Sequence, residues 1–305
     1  MSSHTDRGRP PADGDVSRPI VVTPTFLREW ALPTPGGSKY GRGQVLVIGG
    51  ARGTPGAVML AGRSALRVGA GRLTMAVAES TAVAVAVAVP ESGVVGLPEN
   101  GQGSVLASMP DQLENACDRA DAVLIGSGLD EPEQTAQLLQ MILPVLRSST
   151  RVVLDAYALG VLDQLGDTVT ALEGRLVLTP NMEEAERLLG GDGTSVDDVA
   201  VAVTRIADRY GAVVSCQGRI ADADGNLWEI STGHSGLGTS GSGDVLAGAV
   251  LGLLGRGAEP QQAACWATHL HAAAGDRLTA RVGALGFLAG ELVEELPIVL
   301  TELNV

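Results

Sequence analysis

The chain has 305 residues, of which 45% are hydrophobic and 3% aromatic, and its formal net charge is −14 at pH 7. This length allows one large α/β domain or two small ones, and the hydrophobic content suffices for a substantial core. The negative charge argues against nucleic acid or an anionic membrane as a partner, because both attract basic surface patches. A phosphate-bearing ligand would therefore be held by backbone amides, a few cations or Mg²⁺.

Cysteine usage and the N-terminal segment bear on cellular location. Cys117, Cys216 and Cys265 are odd in number and widely spaced, which predicts free thiols in a reducing cytoplasm and no zinc site. The longest apolar runs have about ten residues, well short of the ~20 that span a bilayer. Residues 1–19 are polar and rich in proline, which predicts a disordered tail before one folded domain at 20–305.

Short runs of aliphatic and β-branched residues recur along the chain, and most are followed by a helical pattern. The predicted strands cover residues 45–50, 72–78, 121–128, 151–156, 175–181 and 212–218. Continuous hydrophobic strands that alternate with helices predict an α/β fold with a mostly parallel sheet covered on both faces. The stretch AVAVAVAVP at 82–90 alternates like a strand but is rich in alanine, so strand and helix both stay open.

Two local signals refine this order of elements. Asp130 is a candidate N-cap, with Pro132 and Glu133 in the first turn of the helix that follows. Asp224-Gly225 lies between two short apolar runs and is typical of a β-hairpin turn. An antiparallel pair is therefore predicted late in the sheet.

Small and polar residues follow most of the predicted strands. In open α/β sheets ligands bind beyond the carboxyl ends of the strands, so these residues predict one ligand-binding edge. They are Gly49-Gly50, Gly126-Ser127-Gly128, Asp155, Thr179-Pro180-Asn181 and Gln217-Gly218.

Asn181 and Glu184 stand three residues apart at a predicted helix start. One interpretation is that both face a hydrated Mg²⁺ or a phosphate-bound water. The other is a capping box, in which Asn181 caps the helix and Glu184 closes the box. The residues alone favour the capping box.

The run GTSGSGDVLAGAVLGLL at 238–254 is the most informative stretch. Gly238, Gly241 and Gly243 are predicted to lie on the first turn of a buried helix, where free N–H groups and the helix dipole favour an anion such as phosphate. Asp244 would then be a carboxylate held beside a bound anion, as a base for phosphoryl transfer is. The alternative, that Asp244 only caps the helix, is about equally good on this run alone.

Other candidate motifs are weaker. The sequence has no P-loop pattern, and no G-x-G-x-x-G follows the first predicted strand as it does in dinucleotide-binding folds. His269 and His271 are two apart in a helical pattern, so they point in different directions and favour a surface or core role over metal binding. Ser240 and Ser242 are expected to lack a partner histidine, which argues against a serine hydrolase.

Five stretches, taken in order, resemble the ADP/ATP-dependent NAD(P)H-hydrate dehydratases of the ribokinase-like superfamily. They are VLVIGGARGTPGAVMLAGRSALRVGAG, DAVLIGSGLD, VVLDAYAL, LVLTPNMEEAERLLG and GTSGSGDVLAGAVLGLL, and the resemblance runs from about Lys39 to Pro297. The Gly-Ser-Gly-Asp run alone marks only the superfamily, whereas the GGARGTPGA loop and LTPNMEE are more specific. The resemblance implies a three-layer α/β/α fold and a stand-alone dehydratase.

The implied activity is that of a hydro-lyase that repairs nicotinamide cofactors. The S form of NADHX or NADPHX would be phosphorylated on its C6 hydroxyl by ADP or ATP, and phosphate would then be eliminated. In this scheme Asp244 takes the proton of the hydroxyl. Backbone amides would stabilise charge on the phosphoryl group, and they belong to Ser240, Gly241, Ser242 and Gly243.

The resemblance also implies roles for other residues. Ala57, Gly128 and Asn181 would line the hydrate pocket together with Asp244. Gly243 and the loop after Cys216, made of Gln217, Gly218 and Arg219, would contact the adenine nucleotide. Glu184 would help to place Mg²⁺ indirectly, and Asp155 is a second-rank candidate at the same edge. Oligomeric state stays open, a homo-oligomer included.

Three departures from the resembled pattern concern the site. His-Pro-Gly-Glu of relatives is Asn181-Met182-Glu183-Glu184 here, and asparagine donates a hydrogen bond but does not titrate. Leu-Lys-Gly is replaced by Cys216-Gln217-Gly218-Arg219 in a shorter loop. Arg219 either replaces the missing positive charge or points into solvent, and both alternatives stay open. Gly-Pro-Gly reads Gly126-Ser127-Gly128. A vitamin-type kinase of the same superfamily and a non-catalytic nucleotide sensor are the alternative functions.

Overall fold

The computed structural model describes residues 18–303 apart from Pro35, residues 191–197 and His234. The predicted disordered tail at 1–19 lies outside the described residues except for its last two positions. None of the helices in the described ranges has the length and apolar character needed to cross a membrane.

Within the described residues, ten strands form one sheet. They are β1 (Ile20–Val21), β2 (Gln44–Ile48), β3 (Arg72–Ala78), β4 (Ser92–Leu97), β5 (Ala122–Ile125), β6 (Arg151–Leu154), β7 (Leu176–Leu178), β8 (Val213–Cys216), β9 (Arg219–Ala221) and β10 (Leu227–Glu229). Their order across the sheet is β1-β10-β9-β8-β7-β6-β5-β2-β3-β4. Neighbouring strands are parallel except for the two pairs that β9 makes. The mostly parallel sheet and the late hairpin are confirmed.

Helices cover both faces of this sheet. They are α1 (Pro24–Glu29), α2 (Pro55–Arg67), α3 (Glu79–Ala88), α4 (Asp111–Arg119), α5 (Pro132–Ile142), α6 (Asp167–Thr170), α7 (Met182–Leu188), α8 (Val199–Tyr210), α9 (Ser242–Gly255), α10 (Pro260–Val282) and α11 (Ala289–Leu303). Side chains of β2 alternate between two cores: Val45 and Val47 pack with α2, α9, α10 and α11, whereas Leu46 and Ile48 pack with α4, α5, α7 and α8. The α/β/α fold is confirmed.

Helix α9 lies in the middle of one helical layer and is buried almost all round. Small residues explain its close approach to α2. A Cβ atom added at Gly248 would lie 2.1 Å from the Ala61 carbonyl oxygen, and one at Gly252 would lie 2.5 Å from that of Ala65. Because this packing leaves no room for larger side chains, it fixes where the first turn of α9 meets the edge of the sheet.

Some local structure differs from the sequence-based expectations. The stretch at 82–90, for which strand and helix were both left open, lies mostly in α3. Its alternating alanine and valine residues are both apolar, so the alternation does not mark one buried and one solvated strand face. Helix α5 is capped by Glu131 rather than Asp130, because Pro132 occupies the first helical position and makes the residue before it the cap. Strands β1 and β4, at the two edges of the sheet, were not predicted. β1 has only two residues, and β4 contains Gly93 and Gly96, which weaken a strand pattern.

Candidate active site

The loops after β2 and β5 meet at the point where the strand order reverses. The chain runs outward from β2 to β4 and returns to β5 on the other side of β2. Gly50 N–H donates to the Ser127 carbonyl (2.9 Å), and the Thr54 hydroxyl donates to the Gly128 carbonyl (2.7 Å). A Cβ atom at Gly128 would lie 3.0 Å from Cβ of Ala57. The two residues predicted to line the hydrate pocket are therefore neighbours at the switch point, where ligands bind in such sheets.

The first turn of α9 lies at the same edge. Gly241 is the N-cap with φ +86°, and in the described part of the chain it has no side-chain capping hydrogen bond. A Cβ atom at Gly243 would find no heavy atom within 4 Å, so the space beside this residue is open. The Ser242 N–H was expected to bind the phosphoryl group. Instead it donates to the Thr239 carbonyl (3.1 Å). Only Gly243 lies within the first turn, since Gly238 ends a separate 3-10 segment.

Asp244 does not cap α9. The helix begins at Ser242 and its cap is Gly241, so Asp244 is the third helical residue. The capping interpretation of Asp244 is wrong. Burial raises the pKa of the Asp244 carboxyl. A carboxylate that is half-buried at the start of a helix and does not cap it is suited to act as a general base.

Asp155 is the second carboxyl group at this edge, directly after β6. It is 5% exposed, and it accepts hydrogen bonds from the hydroxyls of Thr179 (2.8 Å) and Ser127 (3.3 Å). Burial, followed by the charge of Asp244, raises the pKa of Asp155 to about 7. Asp155 was only a second-rank candidate from the sequence, because nothing in the sequence shows that its carboxyl is enclosed.

Asn181 and Glu184 form the capping box at the start of α7. Glu184 N–H donates to Asn181 Oδ1 and Asn181 N–H donates to Glu184 Oε2, both at 2.9 Å. The capping interpretation is confirmed. It uses one carboxylate oxygen of Glu184, and burial raises the pKa of this carboxyl.

Gln217 and Gly218 form the two-residue turn of the hairpin between β8 and β9. Both have positive φ, +44° and +76°, as this kind of turn requires. The next residue, Arg219, forms an ion pair with Glu229 on β10 (2.9 Å). The structure thus gives Arg219 a protein partner, and its contact with nucleotide stays a prediction.

Sequence reasoning missed one contact of the site. Ser242 Oγ lies 2.9 Å from Nε2 of His271, and both side chains are buried. The expectation that Ser242 lacks a partner histidine is wrong. Burial lowers the pKa of His271 to about 4, so the ring is neutral at pH 7. The pair is enclosed by protein, which suits an anchor for the turn better than a nucleophile. In the sequence, only the apolar residues around His271 indicated that its side chain faces the protein interior.

Comparison with known proteins places this geometry in a family. The Carb_kinase family, described as NAD(P)H-hydrate dehydratase, matches residues 45–298. An ADP-dependent (S)-NAD(P)H-hydrate dehydratase of Xanthomonas campestris pv. campestris is 42% identical over 288 residues, which cover 93% of this chain and 96% of the relative. A second enzyme of that description, from Neisseria meningitidis, is 34% identical and covers 82% of both chains.

Longer relatives and solved structures agree with these matches. A bifunctional NAD(P)H-hydrate repair enzyme of Moorella thermoacetica is 36% identical, and the aligned region spans 58% of its length. The ADP/ATP-dependent NAD(P)H-hydrate dehydratase of Bacillus subtilis, co-crystallised with ATP and Mg²⁺, superposes with a TM-score of 0.73 at 26% identity, over 92% of this chain and 97% of that one. Ribokinase of Thermotoga maritima shares the fold, with a TM-score of 0.52 at 16% identity. The chain therefore belongs to the NAD(P)H-hydrate dehydratase family and has a ribokinase-like fold.

Proposed function

We propose that the chain dehydrates the S form of NAD(P)H hydrate at the expense of ADP or ATP and so restores NAD(P)H. The observation that carries this proposal is the position of Asp244, on the first turn of α9 beside open space and free of any capping role. The relatives named as (S)-NAD(P)H-hydrate dehydratases over nearly the same length support the same activity.

Asp244 acts as the general base in this reaction. It takes the proton of the C6 hydroxyl while the hydroxyl oxygen attacks the terminal phosphorus and the shortened nucleotide leaves. The ring nitrogen then expels phosphate from C6, and loss of a proton from C5 restores the ring double bond. Each step uses the edge where α9 begins.

The start of α9 stabilises the transferring phosphoryl group. Backbone amides of Ser240, Gly241 and Gly243 and the positive end of the helix dipole provide the favourable field. The Ser242 amide is bonded to Thr239 and supports the turn itself. Gly243 lacks a side chain, which lets the phosphate approach the backbone closely.

The substrate and the nucleotide are proposed to contact different sets of residues near the start of α9. Ala57 and Gly128 at the switch point, with Asn181, line the pocket for the hydrate. The oxygen of the Asn181 side chain is used in the capping box, so its NH₂ group is left to donate to the substrate. The nucleotide contacts Gly243 and the hairpin turn of Gln217, Gly218 and Arg219.

The residues present fit a Mg²⁺ ion that is bound mainly through phosphate. Among the described residues, three or more His, Cys, Asp or Glu side chains are nowhere grouped to hold a metal. Mg²⁺ usually keeps several waters and takes one or two carboxylates with substrate phosphates. Glu184 has one oxygen outside the capping box and would help to place the ion, which would neutralise charge on the phosphates. We also infer a cytoplasmic location from the three unpaired cysteines.

Product analysis tests the proposal. The protein is incubated with the S form of NADPH hydrate and ADP or ATP, and both free phosphate and the absorbance of reduced cofactor are followed. We expect both to rise together in equal amounts. A stable phosphorylated alcohol without free phosphate would indicate a kinase. Nucleotide binding without any turnover would indicate a sensor.

A further inference from the structure

Arg52 is the one Arg or Lys residue on the segments that surround the switch point of the sheet. The segments that follow β2 and β4 to β7 cover residues 49–54, 98–110, 126–131, 155–166 and 179–181, all of which the structure describes. Within these ranges the sequence has no other Arg or Lys. A substrate with phosphate groups would therefore meet a single basic side chain on this side of the site, near the carboxyl groups of Asp155 and Asp244.

The loop that carries Arg52 is bonded to a residue proposed to line the hydrate pocket. Ala51 N–H donates to the Gly128 carbonyl (2.7 Å), and Arg52 is the next residue in the chain. In NAD(P)H hydrate one ribose separates the nicotinamide ring from the diphosphate. When the ring lies beside Gly128, a guanidinium that branches from the residue next to this contact is within reach of the diphosphate.

Ser80 and Glu99 hold the Arg52 guanidinium. Its Nε donates to Ser80 Oγ (3.3 Å) and Glu99 Oε1 (3.2 Å), and its Nη2 donates to the same Glu99 oxygen (2.5 Å). The other Glu99 oxygen accepts from the Ser80 hydroxyl (2.9 Å). The Arg52 side chain is 46% exposed and the Glu99 side chain 13%. The cation, rather than its carboxylate partner, therefore faces the solvent.

The loop after β4 is fixed around Arg52. Arg52 N–H donates to the Gly103 carbonyl (2.9 Å), and Nη1 donates to the Gly101 carbonyl (3.4 Å). Asn100 Oδ1 accepts from three backbone N–H groups of the same loop. A Cβ atom at Gly103, where φ is +98°, would lie 2.6 Å from Cβ of Arg52. Because the side chain is ordered in this way before any ligand arrives, binding a ligand costs less conformational entropy.

Arg52 keeps two donors for a ligand. A guanidinium has five N–H groups. The hydrogen bonds that Arg52 makes to described residues use three of them: the Nε group and one group each of Nη1 and Nη2. One N–H group is left on each of Nη1 and Nη2. Such a pair matches two oxygens of a phosphate group.

We propose that Arg52 binds the diphosphate of NAD(P)H hydrate through these two N–H groups, while Ser80 and Glu99 hold the guanidinium in place. The inference rests on the proposed function for the identity of the substrate. The diphosphate is common to NADH hydrate and NADPH hydrate, so Arg52 serves both. It is remote from the C6 hydroxyl, so the contact contributes to binding of the hydrate and leaves the chemical step unchanged.

Steady-state kinetics with the S forms of both hydrates test this contact. We expect Arg52→Gln to raise KM for either hydrate about tenfold or more, with kcat within a factor of a few of wild type. Arg52→Lys should lie between the two, because it keeps the charge and loses the fork. Arg151→Gln is the matched control and should keep the wild-type KM. Arg151 forms an ion pair with Glu259 (2.8 Å) at the start of β6, on the opposite edge of the sheet.

The hydrate of reduced nicotinamide riboside separates a direct contact from an effect on the loop, because it has no phosphate. We expect its kcat/KM to be the same in wild type and Arg52→Gln. An equal loss with this substrate would overturn the proposal, since Arg52 would then act only through the structure of the loop. A loss confined to NADPH hydrate would also overturn it, because the partner would be the 2′-phosphate. Unchanged KM values for both dinucleotide hydrates would do the same.

Calorimetry with NADPH hydrate in the absence of nucleotide needs no turnover. If wild-type protein releases no phosphate, the proposed function fails, and binding still decides the role of Arg52. Weaker binding by Arg52→Gln than by wild type and Arg151→Gln would support the diphosphate contact. Equal binding by the three proteins, or no binding by wild type, would refute it.

Discussion

Ser242 Oγ and His271 Nε2 lie 2.9 Å apart and join the first residue of α9 to the middle of α10. Burial keeps the His271 ring neutral, with a pKa of about 4. A neutral ring makes a directional hydrogen bond and adds no charge beside the place proposed for phosphate. The pair therefore fixes the turn on which the proposed phosphoryl site depends.

Removing the Ser242 hydroxyl should impair both stability and turnover. Ser242→Ala leaves a buried ring nitrogen without its partner, which costs about 1–3 kcal/mol of unfolding free energy. We expect kcat to fall as the turn loosens. Ser215→Ala is the control, because it breaks another buried hydroxyl contact to α10, with Thr268 at 2.8 Å. Urea unfolding and steady-state kinetics are measured for both. Equal loss of kcat in the two variants would refute a specific role for the turn.

Two glycines of the same turn should respond differently to alanine. A Cβ atom at Gly241 would lie 2.5 Å from Leu60 Cδ1 at φ +86°, so Gly241→Ala should lose about 1–3 kcal/mol of stability. At Gly243 the Cβ atom meets nothing within 4 Å. Gly243→Ala should therefore keep its stability or gain up to about 1 kcal/mol.

Gly243→Ala should lose activity although it keeps its stability. The new methyl group at position 243 occupies the place proposed for the phosphoryl group, so we expect turnover to fall at least about tenfold in a stable protein. Thermal unfolding and phosphate release decide this together. A stable and fully active Gly243→Ala protein would show that phosphate does not approach the α9 backbone there.

A change in the hairpin turn between β8 and β9 should affect nucleotide affinity more than the same change in the turn between β9 and β10. Gly218 and Gly225 both have positive φ, +76° and +84°, so alanine is strained at each by about 1 kcal/mol. At Gly218 the Cβ atom would also lie 2.9 Å from the Ile230 carbonyl oxygen, whereas at Gly225 it meets nothing within 4 Å. We expect Gly218→Ala to weaken ADP binding in calorimetry and Gly225→Ala to leave it unchanged. Equal affinities would argue against nucleotide contact at this turn.

Asp155 should make stability depend on pH. Its pKa is raised from 3.8 to about 7, so the native state binds more protons than the unfolded state between these values. The free energy of unfolding therefore falls as pH rises through this window, by up to about 4 kcal/mol. Asp155→Asn cannot ionise, so it should gain stability over wild type at pH 8 but not at pH 4. Thermal unfolding at both pH values measures this, and a pH-independent difference would contradict it.

The sequence predicted the architecture well because periodicity reports it directly. Runs such as Val45–Ile48 are hydrophobic at every position, as in strands covered on both faces, and the Asp224-Gly225 turn marks its own hairpin. The sequence also singled out Asp244, because glycines before an apolar helix leave room for an anion beside it, and the run alone favoured a capping role about equally. Its alternative role as cap was settled only by the helix boundary, which pattern alone places to within a few residues.

The contacts that set the chemistry of the site could not be predicted. Ser127, Asp155 and Asp244 come from three elements far apart in the chain, and their distances follow from strand order. His271 reaches Ser242 only because α10 packs on α9. Arg219 was expected to offer a charge to the nucleotide, but register places it opposite Glu229.

Substitution of Asp244 by asparagine tests the central claim most directly. Phosphate release from the S form of NADPH hydrate with ADP is compared between wild type and Asp244→Asn, with ADP affinity measured on the same samples. We expect turnover to fall at least about 100-fold, the scale of a general base, with ADP affinity retained. Turnover within a factor of a few of wild type would contradict the assignment of Asp244 as the base.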